Sequence, residues 1–257
     1  MAADTHLQEN QPPGVPPLAL TGERTLPDVP AENYWYRRHE AVYEWIARRV
    51  SGARVLDMAC GEGYGSDLLA RGGAGEVVGV DANPEAYEHA KLRYSGPNLR
   101  FERGLVESWA TPGQSFDAVV FLQTIEHVSD PVSVLRHFKE LLAPGGAVYV
   151  STPNLLTLAP PGAEKSDNPW HIKEYTAGEF RALCEEVFSS VELLGLFHAR
   201  KLAVHALALR LGWDQVHKTL GVSKLFYDRF TPAIAATDFR LTATRLESAL
   251  DFVAICR

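Results

Sequence analysis

The sequence predicts an α/β fold in which helices cover both faces of a mostly parallel, doubly wound sheet. Three observations predict it. Short apolar runs alternate with helical patterns between residues 54 and 151, a glycine-dense turn follows the first run, and an apolar run closes the chain. Regular strand–helix alternation indicates right-handed crossovers and therefore a parallel sheet.

Composition and charge exclude several classes of protein. The chain has 257 residues, and its 25 basic against 32 acidic residues give a net charge of −7, which argues against a nucleic-acid partner. Three scattered cysteines form neither a disulfide framework nor a zinc spacing and fit a reducing compartment. No apolar run approaches the roughly 20 residues that cross a bilayer, and no signal peptide pattern opens the chain. We therefore expect a cytoplasmic protein with no membrane partner.

The chain divides into two regions. Residues 1–28 are rich in proline and lack apolar periodicity, which predicts a flexible tail, although the later part, Leu18–Val29, could lie across the fold. Residues 29–257 form the predicted domain, which begins with a helical pattern through about residue 50. In the first half, strands are predicted at 54–57, 76–80, 99–101, 116–121 and 147–151, and helices at 64–70, 84–94 and 131–142.

The second half of the domain is more helical. A helix at 177–187 and a strand at 190–197 are followed by short helices at 202–211, 214–220 and 223–230, and by a last strand at 251–256. The region 200–235 is predicted to be a helical insertion that roofs a pocket as a lid.

The glycine turn is the most informative feature. Gly61 and Gly63 follow a buried strand and open a helix, where free N–H groups favour a negative or electron-rich ligand group. Asp81 ends the second strand, about 20 residues later, where an acid can accept both hydroxyls of a ribose. The alternative is a plain turn with a helix-capping aspartate. Asp57, at the end of the first strand, would repel a pyrophosphate but suits a ligand with positive charge.

These motifs resemble those of the class I S-adenosylmethionine-dependent methyltransferases. The resemblance covers about residues 50–155, and its carriers are Asp57–Gly63, Val78–Asp81, Ser115–Gln123 and Leu142–Gly146. It implies a Rossmann-like, seven-stranded sheet with the last strand antiparallel, and S-adenosyl-L-methionine as cofactor.

The resemblance also implies roles at the cofactor. Gly61, Glu62 and Gly63 would cradle its amino-acid part, and Asp81 its ribose. Ala82 and Val106 would flank the adenine, while Leu105 stands where many relatives carry an adenine-reading aspartate. An arginine of the first helix, Arg38, could pair with the carboxylate, although this helix could equally expose its arginines to solvent. The full set of predicted cofactor residues is Arg38, Asp57, Gly61, Glu62, Gly63, Asp81, Ala82, Leu105, Val106 and Gln123.

Histidines are among the candidate residues of the site that binds and activates the methyl acceptor. An alcohol is a poor nucleophile near pH 7 and needs a general base, and His127, just after the fourth strand, is the predicted base. The alternative is a histidine that pins the next helix or faces solvent. Predicted acceptor-site residues are Tyr34, Glu126, Trp170, His171 and His198. Glu126 would be structural or orient a donor, and Trp170 would stack on a sugar. The alternative for His171 and His198 is a histidine with no role at the site. Three histidines could also hold a divalent metal, but their spacing matches no metal motif. We therefore assign no metal ligand and leave Mg²⁺ open.

A closer resemblance concerns the acceptor. The motifs Thr21–Asp28, Glu32–His39, Ser151–Asn154, Asn168–His171 and Gly195–His198 are similar to the actinobacterial sugar O-methyltransferases of methylmannose polysaccharide. The resemblance implies methylation of the 1-hydroxyl of a 3-O-methylated mannoside. It fades between about residues 201 and 230.

The sequence thus predicts methyl transfer to an acceptor hydroxyl, on a sugar or oligosaccharide. The alternatives are methylation of a quinone, phenol or other small metabolite, and a cofactor-binding protein without catalysis. A nucleotide-dependent oxidoreductase is disfavoured by the missing G-x-G-x-x-G pattern and by Asp57. A homodimer is left open.

Overall fold

The structure, a computed structural model, describes residues 7–20, 24–111, 113, 115–160, 162–221 and 223–257. Its strands are β1 (Arg54–Met58), β2 (Glu76–Asp81), β3 (Leu99–Arg103), β4 (Phe116–Leu122), β5 (Leu142–Pro153), β6 (Val191–His198), β7 (Phe239–Thr242) and β8 (Asp251–Cys256). Its helices are α1 (Asn33–Ala47), α2 (Tyr64–Arg71), α3 (Pro84–Arg93), α4 (Pro131–Leu141), α5 (Leu155–Leu158), α6 (Ala177–Glu185), α7 (Arg200–Arg210), α8 (Trp213–Leu220) and α9 (Ser223–Phe230).

The strands of the described residues form one sheet in the order β3-β2-β1-β4-β5-β8-β6-β7. The first five strands run parallel, as predicted, and β8 lies antiparallel between β5 and β6, which confirms the antiparallel last strand. The sheet has one strand more than the seven predicted, because β7 pairs antiparallel with β6 at the edge. Four residues that pair only at the edge of the sheet give too short an alternation to be recognised in the sequence.

The central strands explain why the sequence folds this way. Val55, Leu56, Val77 and Val78 are all fully buried, as expected for parallel strands covered by helices on both faces. One apolar cluster fills each side of the sheet, with the aromatic rings of Phe121, Phe138 and Phe180 on the side of α4 and α6.

Local signals set the helix starts. The side chain of Asn83 accepts hydrogen bonds from the N–H groups of Glu85 and Ala86, and Pro84 occupies the first turn of α3. Thr176 and Glu179 form a reciprocal capping box at α6. These signals account for the close agreement between predicted and observed helix starts at residues 84 and 177.

The described part of the region predicted as a flexible tail contacts the domain rather than extending away from it. Gln8 donates from Nε2 to the carboxylate of Glu62 at 3.0 Å, and its Oε1 accepts the N–H of Leu18. Leu26 is fully buried, next to Leu18. This proline-rich segment packs through the apolar side chains of Leu18 and Leu26 and the buried amide of Gln8. Their spacing has no helical or strand period, so it could not be recognised in the sequence.

The predicted helical insertion forms as three helices, α7 to α9. Its C-terminal base is tied to α1, because Asn33 donates from Nδ2 to the carbonyl oxygens of Thr231 and Ile234 at 2.8 and 3.0 Å. The insertion therefore lies beside the first helix of the domain.

A buried ion pair joins the two ends of the domain. Arg38 of α1 donates from Nε and Nη2 to the two carboxylate oxygens of Asp251, at the start of β8, with both distances at 2.5 Å. The side chains are only 6% and 2% exposed. Since each charge is withdrawn from water, either one left alone would be costly.

We expect Asp251→Ala to lower the free energy of unfolding by about 3–5 kcal/mol, because it leaves the buried Arg38 guanidinium without its carboxylate. Urea unfolding measures this effect. The control is Glu44→Ala, which breaks the exposed pair between Glu44 and Arg48 and should cost less than about 0.5 kcal/mol. Equal losses for the two variants would show that the buried pair is not a stabilising contact.

Candidate active site

A cavity of about 470 Å³ opens at the carboxyl ends of β1, β2, β4 and β5. This edge is where open α/β sheets bind ligands, and the volume falls in the range of small-molecule sites. The described residues that line it are Arg24, Thr25, Glu32, Trp35, Arg38, His39, Tyr43, Ala59, Cys60, Gly61, Glu62, Tyr64, Asp81, Leu122, Gln123, Thr124, Glu126, His127, Pro153, Leu158, Asn168 and His171.

The glycine turn forms one end of the cavity. Gly61, with φ of +57°, directs its N–H to the Oδ2 of Asp81 at 2.7 Å. Gly63, with φ of +97°, lies away from the cavity wall, and a Cβ there would stand 2.8 Å from the Cβ of Ala90. Gly61 thus shapes the wall, whereas Gly63 allows α3 to pack closely against the turn.

The carboxylate of Asp81 is held in place by two backbone donors. Besides Gly61, the N–H of Asn83 donates to its Oδ1 at 2.9 Å. The side chain lines the cavity, as its predicted contact with a ribose requires.

Asp57 lies beneath the turn rather than in the cavity wall. Its carboxylate is fully buried and accepts hydrogen bonds from Ser66 at 2.6 Å and Tyr43 at 3.1 Å. Burial raises the pKa of Asp57 to about 7. The residue predicted at the cofactor therefore joins β1 to α1 and α2, and supports the turn from below.

Glu62 also has a structural task that the sequence did not reveal. Its buried carboxylate accepts hydrogen bonds from Gln8 at 3.0 Å and Tyr94 at 2.8 Å, and pairs with Arg93 at 3.2 Å. His89 approaches it at 3.1 Å. Glu62 lines the cavity. Its carboxylate also links Gln8 of the N-terminal segment to Arg93 and His89 of α3.

Three residues predicted around the adenine stand apart from the described cavity. Ala82 and Leu105 are exposed, the latter at 60%, and Val106 packs against the core. Gln123, with φ of +50°, does line the cavity and is fixed by bonds from its N–H and Nε2 to the hydroxyl of Ser151.

Arg38 lines the cavity as predicted, but its Nε and Nη2 are committed to Asp251. A second arginine in the cavity wall, Arg24, comes from the N-terminal segment and was not predicted. Arg24 lies within Thr21–Asp28, a motif of the closer resemblance, but that resemblance gave it no role at the cavity.

Three of the predicted acceptor residues, Glu126, His127 and His171, line the cavity. His127 donates from Nδ1 to the carbonyl oxygen of Trp170 at 2.8 Å, so Nε2 is the acceptor nitrogen of the neutral ring. His171 donates from Nδ1 to Glu174 at 2.6 Å, and the two imidazole centroids are 5.0 Å apart. The chain between 168 and 171 therefore reaches the site and orients His127. The Trp170 ring, 48% exposed, lies outside the cavity wall.

Glu126 is a buried acid at the base of this wall. Its side chain is 1% exposed, and its Oε2 has no hydrogen-bond partner among the described atoms. Burial raises the pKa of Glu126 to about 8. The group is therefore protonated at neutral pH and can donate a hydrogen bond.

Tyr34 and His198 are placed elsewhere. They bond to each other, Oη to Nε2, at 2.8 Å, and neither lines the cavity. Burial, with the nearby Arg38, lowers the pKa of His198 to about 4. None of the described residues of α7 to α9 lines the cavity either, so the insertion contributes no wall to it.

The donor set available for a metal does not fit Mg²⁺. Ligand atoms of Glu126, His127 and His171 lie within 4.8 Å of one another. Mg²⁺ prefers an octahedron of oxygens, whereas this set offers one carboxylate and two imidazoles.

Several cavity residues escaped the sequence analysis. Desolvation lowers the pKa of His39 to about 4, so its ring is neutral at pH 7, and its Nδ1 lies 3.1 Å from the hydroxyl of Tyr64. The only available signal was the run of aromatic and basic residues that opens α1. The cavity residues that were not assigned to the site are Arg24, Thr25, Glu32, Trp35, His39, Tyr43, Ala59, Cys60, Tyr64, Leu122, Thr124, Pro153, Leu158 and Asn168.

The comparisons with known proteins identify the family. Residues 34–207 match the family described as methyltransferase domain. A probable S-adenosylmethionine-dependent methyltransferase of Mycolicibacterium smegmatis is 38% identical over 250 residues, covering 93% of this chain and 94% of that protein. A ubiquinone biosynthesis O-methyltransferase of Cereibacter sphaeroides is 40% identical over 119 residues, covering 44% of this chain and 48% of that protein.

Solved structures share the fold. A methyltransferase of Thermotoga maritima described as a possible histamine N-methyltransferase superposes with a TM-score of 0.58 at 16% identity, covering 87% of this chain and 92% of that one. An S-adenosylmethionine-dependent methyltransferase of Mesorhizobium loti gives 0.54 at 21% identity, covering 84% and 98%.

This chain belongs to the S-adenosylmethionine-dependent methyltransferase family, as the glycine turn and Asp81 predicted. The Rossmann-like α/β fold predicted for it is confirmed. Across the described residues, no helix is both long and apolar enough to cross a bilayer.

We expect Glu126→Gln to flatten the dependence of stability on pH. A carboxyl whose folded pKa lies above its unfolded value stabilises the protein fully below the unfolded pKa, near 4.3, and that stability is lost as pH rises through about 8. Between pH 5 and 8 the free energy of unfolding of the wild type should therefore fall by up to about 1.4 kcal/mol per pH unit more than that of the variant.

Urea unfolding at pH 5, 6.5, 8 and 9 measures the two slopes. Glu140→Gln, at an exposed site on α4, is the matched control and should follow the wild type. Identical slopes for the wild type and Glu126→Gln would mean that Glu126 does not titrate as its burial requires.

Proposed function

We propose that the protein transfers a methyl group from S-adenosyl-L-methionine to an acceptor hydroxyl, giving a methyl ether and S-adenosyl-L-homocysteine. The observation that carries this proposal is the position of His127, an oriented imidazole in the same cavity as Gly61 and Asp81.

The cavity residues fit the cofactor. Asp81 offers an oriented carboxylate to the ribose. Gly61 has no side chain, so the amino-acid part of the cofactor can lie against the backbone there. Arg24 and Glu32 add charged groups of both signs, which suit a zwitterionic amino-acid end. When bound, the cofactor supplies a methyl group activated by its sulfonium, and the protein supplies position and electrostatics.

His127 acts as the general base. Its Nδ1–H donates to the carbonyl of Trp170, so Nε2 is the ring nitrogen whose lone pair can accept the proton of an acceptor hydroxyl. When bound, the cofactor would supply the methyl group to the hydroxyl oxygen with S-adenosyl-L-homocysteine as the leaving group, and His127 would take the proton that the hydroxyl loses. Glu126, protonated near neutral pH, can donate a hydrogen bond that orients the acceptor.

A sugar is the acceptor that we favour. The wall near His127 is rich in groups that bond hydroxyls, among them Thr124 and Asn168. Trp35 is 41% exposed in the same cavity and offers a flat apolar face to a sugar ring. Hydroxyl and amide groups beside an exposed tryptophan support an uncharged polyhydroxylated acceptor, such as a 3-O-methylated mannoside.

A phenol or quinol is the second candidate. The observation that favours it is the 40% identity over 119 residues to a ubiquinone biosynthesis O-methyltransferase. The same base would serve it, and Trp35 could stack on an aromatic ring as well as on a sugar.

We expect His127→Ala to lower kcat by about 10²–10⁴-fold with little change in cofactor affinity, because it removes the proton acceptor and no cofactor contact. Transfer of labelled methyl measures kcat, and calorimetry with S-adenosyl-L-homocysteine measures the affinity. His137→Gln, at a histidine of α4 outside the cavity, is the matched control and should retain kcat. Undiminished kcat in His127→Ala would remove the base assignment.

We expect Asp81→Ala to weaken binding of S-adenosyl-L-homocysteine by about 10–100-fold, because the ribose loses a charged hydrogen-bond acceptor. Calorimetry measures it. Asp67→Ala on α2, outside the cavity, is the control. Unchanged affinity in Asp81→Ala would contradict the ribose contact.

An acceptor panel separates the two candidates. It contains 3-O-methylated mannosides, unmethylated glycosides and catechols, each offered with labelled cofactor. Label on a mannoside hydroxyl supports the sugar acceptor, and label on a catechol supports the phenol. Binding of cofactor without label on any acceptor would contradict both acceptor classes.

A further inference from the structure

We propose that the helical insertion, α7 to α9, is a docking face for a lipid surface that carries anionic headgroups. The face combines exposed apolar side chains with an excess of positive charge, and it lies at the same sheet edge as the cavity.

The outer side of α7 is apolar and exposed. Val204, Leu207 and Leu211 are 69%, 57% and 80% exposed, and their spacing of three and four residues places them on one side of the helix. The inner side is packed, since Leu202 is 3% exposed and the ring of His205 contacts Phe230 with centroids 4.6 Å apart. The outer leucines therefore do not serve the packing of this region.

Exposed apolar side chains are concentrated in this insertion. Half of the fourteen large apolar side chains exposed among the described residues lie between 204 and 225. Besides α7, they include Trp213 and Val216 on α8 and Leu225 on α9, at 41%, 42% and 57%. A concentration of this kind marks an interaction surface.

The charge of the insertion is opposite to that of the rest of the chain. Residues 200–235 contain six lysines and arginines against two aspartates, whereas the whole chain has a net charge of −7. Arg200 and Arg210 are exposed on α7, next to the apolar residues. An anionic surface would thus attract the insertion and repel the body of the protein, which orients the molecule.

A lipid surface fits these features better than a second copy of the chain. A two-fold dimer would pair this face with itself and bring its positive charges together. An anionic bilayer offers acyl chains to the leucines and the tryptophan, and phosphates to the arginines. Helices with one apolar side, a basic rim and tryptophan lie in the plane of such an interface.

The docked insertion would bring the cavity close to the headgroups. Strand β6 is parallel to β5, so the insertion that follows it leaves the sheet at the edge where the cavity opens. Asn33 ties the base of the insertion to α1, which carries Trp35 of the cavity. An acceptor hydroxyl carried by a lipid would then be within reach. This last consequence rests on the proposed function, but the docking does not.

Co-sedimentation of the full chain with vesicles tests the proposal without cofactor or acceptor. We expect binding to phosphatidylcholine vesicles that contain phosphatidylglycerol to be at least about tenfold stronger than binding to phosphatidylcholine alone, and to weaken with added salt. Leu207→Asp combined with Leu211→Asp should reduce this binding at least about tenfold. Leu92→Asp, at a leucine of α3 that is also 57% exposed, is the matched control and should bind as the wild type does.

Three outcomes would overturn the proposal: no binding to the anionic vesicles, equal binding by wild type and double variant, or a dimer in light scattering that the double variant makes monomeric. Circular dichroism checks that the variants fold. Should the double variant fail to fold, Arg210→Glu applies the same test, with Arg48→Glu as its control. Equal vesicle binding by these two variants would also overturn the proposal.

Discussion

The hydrogen bond from the Gly61 N–H to the Asp81 carboxylate is the contact on which the site depends. It joins the ends of two neighbouring parallel strands at 2.7 Å, so the turn after β1 and the acid after β2 keep a fixed separation. Residue 61 itself has a φ of +57°, a conformation that glycine adopts at little steric cost. The buried carboxylate of Asp57 supports the same turn through Ser66. The wall that would meet the cofactor is thereby set by strand pairing, before any ligand arrives.

The second wall is organised by different forces. His127 and His171 each donate from Nδ1 to an oxygen acceptor, one a backbone carbonyl and the other the carboxylate of Glu174. Glu126 is kept neutral near pH 7 by burial rather than by a partner. A wall of oriented polar groups in the same cavity as the glycine turn suits an acceptor with hydroxyls, and this supports the O-methylation that we propose.

The parts of the fold that the sequence predicted are those that local patterns determine. The five parallel strands, the helix starts at Pro84 and Ala177, and the glycine turn depend on residues within a few positions of one another, so periodicity and capping reveal them. Contacts between distant segments left no such signal. The pairing of Arg38 with Asp251 spans 213 positions, and Gln8 meets Glu62 across 54. The edge strand β7 was missed because its four residues give too short an alternation. The place of Arg24 in the cavity wall was missed because it depends on a contact between distant segments.

The central claim is that a hydroxyl in this cavity loses its proton to His127 and takes the methyl group. The most direct test is to offer the acceptor panel with cofactor labelled with ¹³C at the methyl group, and to identify by NMR the atom that carries the label. The account predicts label in a methyl ether, lost by a factor of about 10²–10⁴ in His127→Ala while S-adenosyl-L-homocysteine still binds. Label on nitrogen or carbon, or an undiminished methyl ether in His127→Ala, would contradict it.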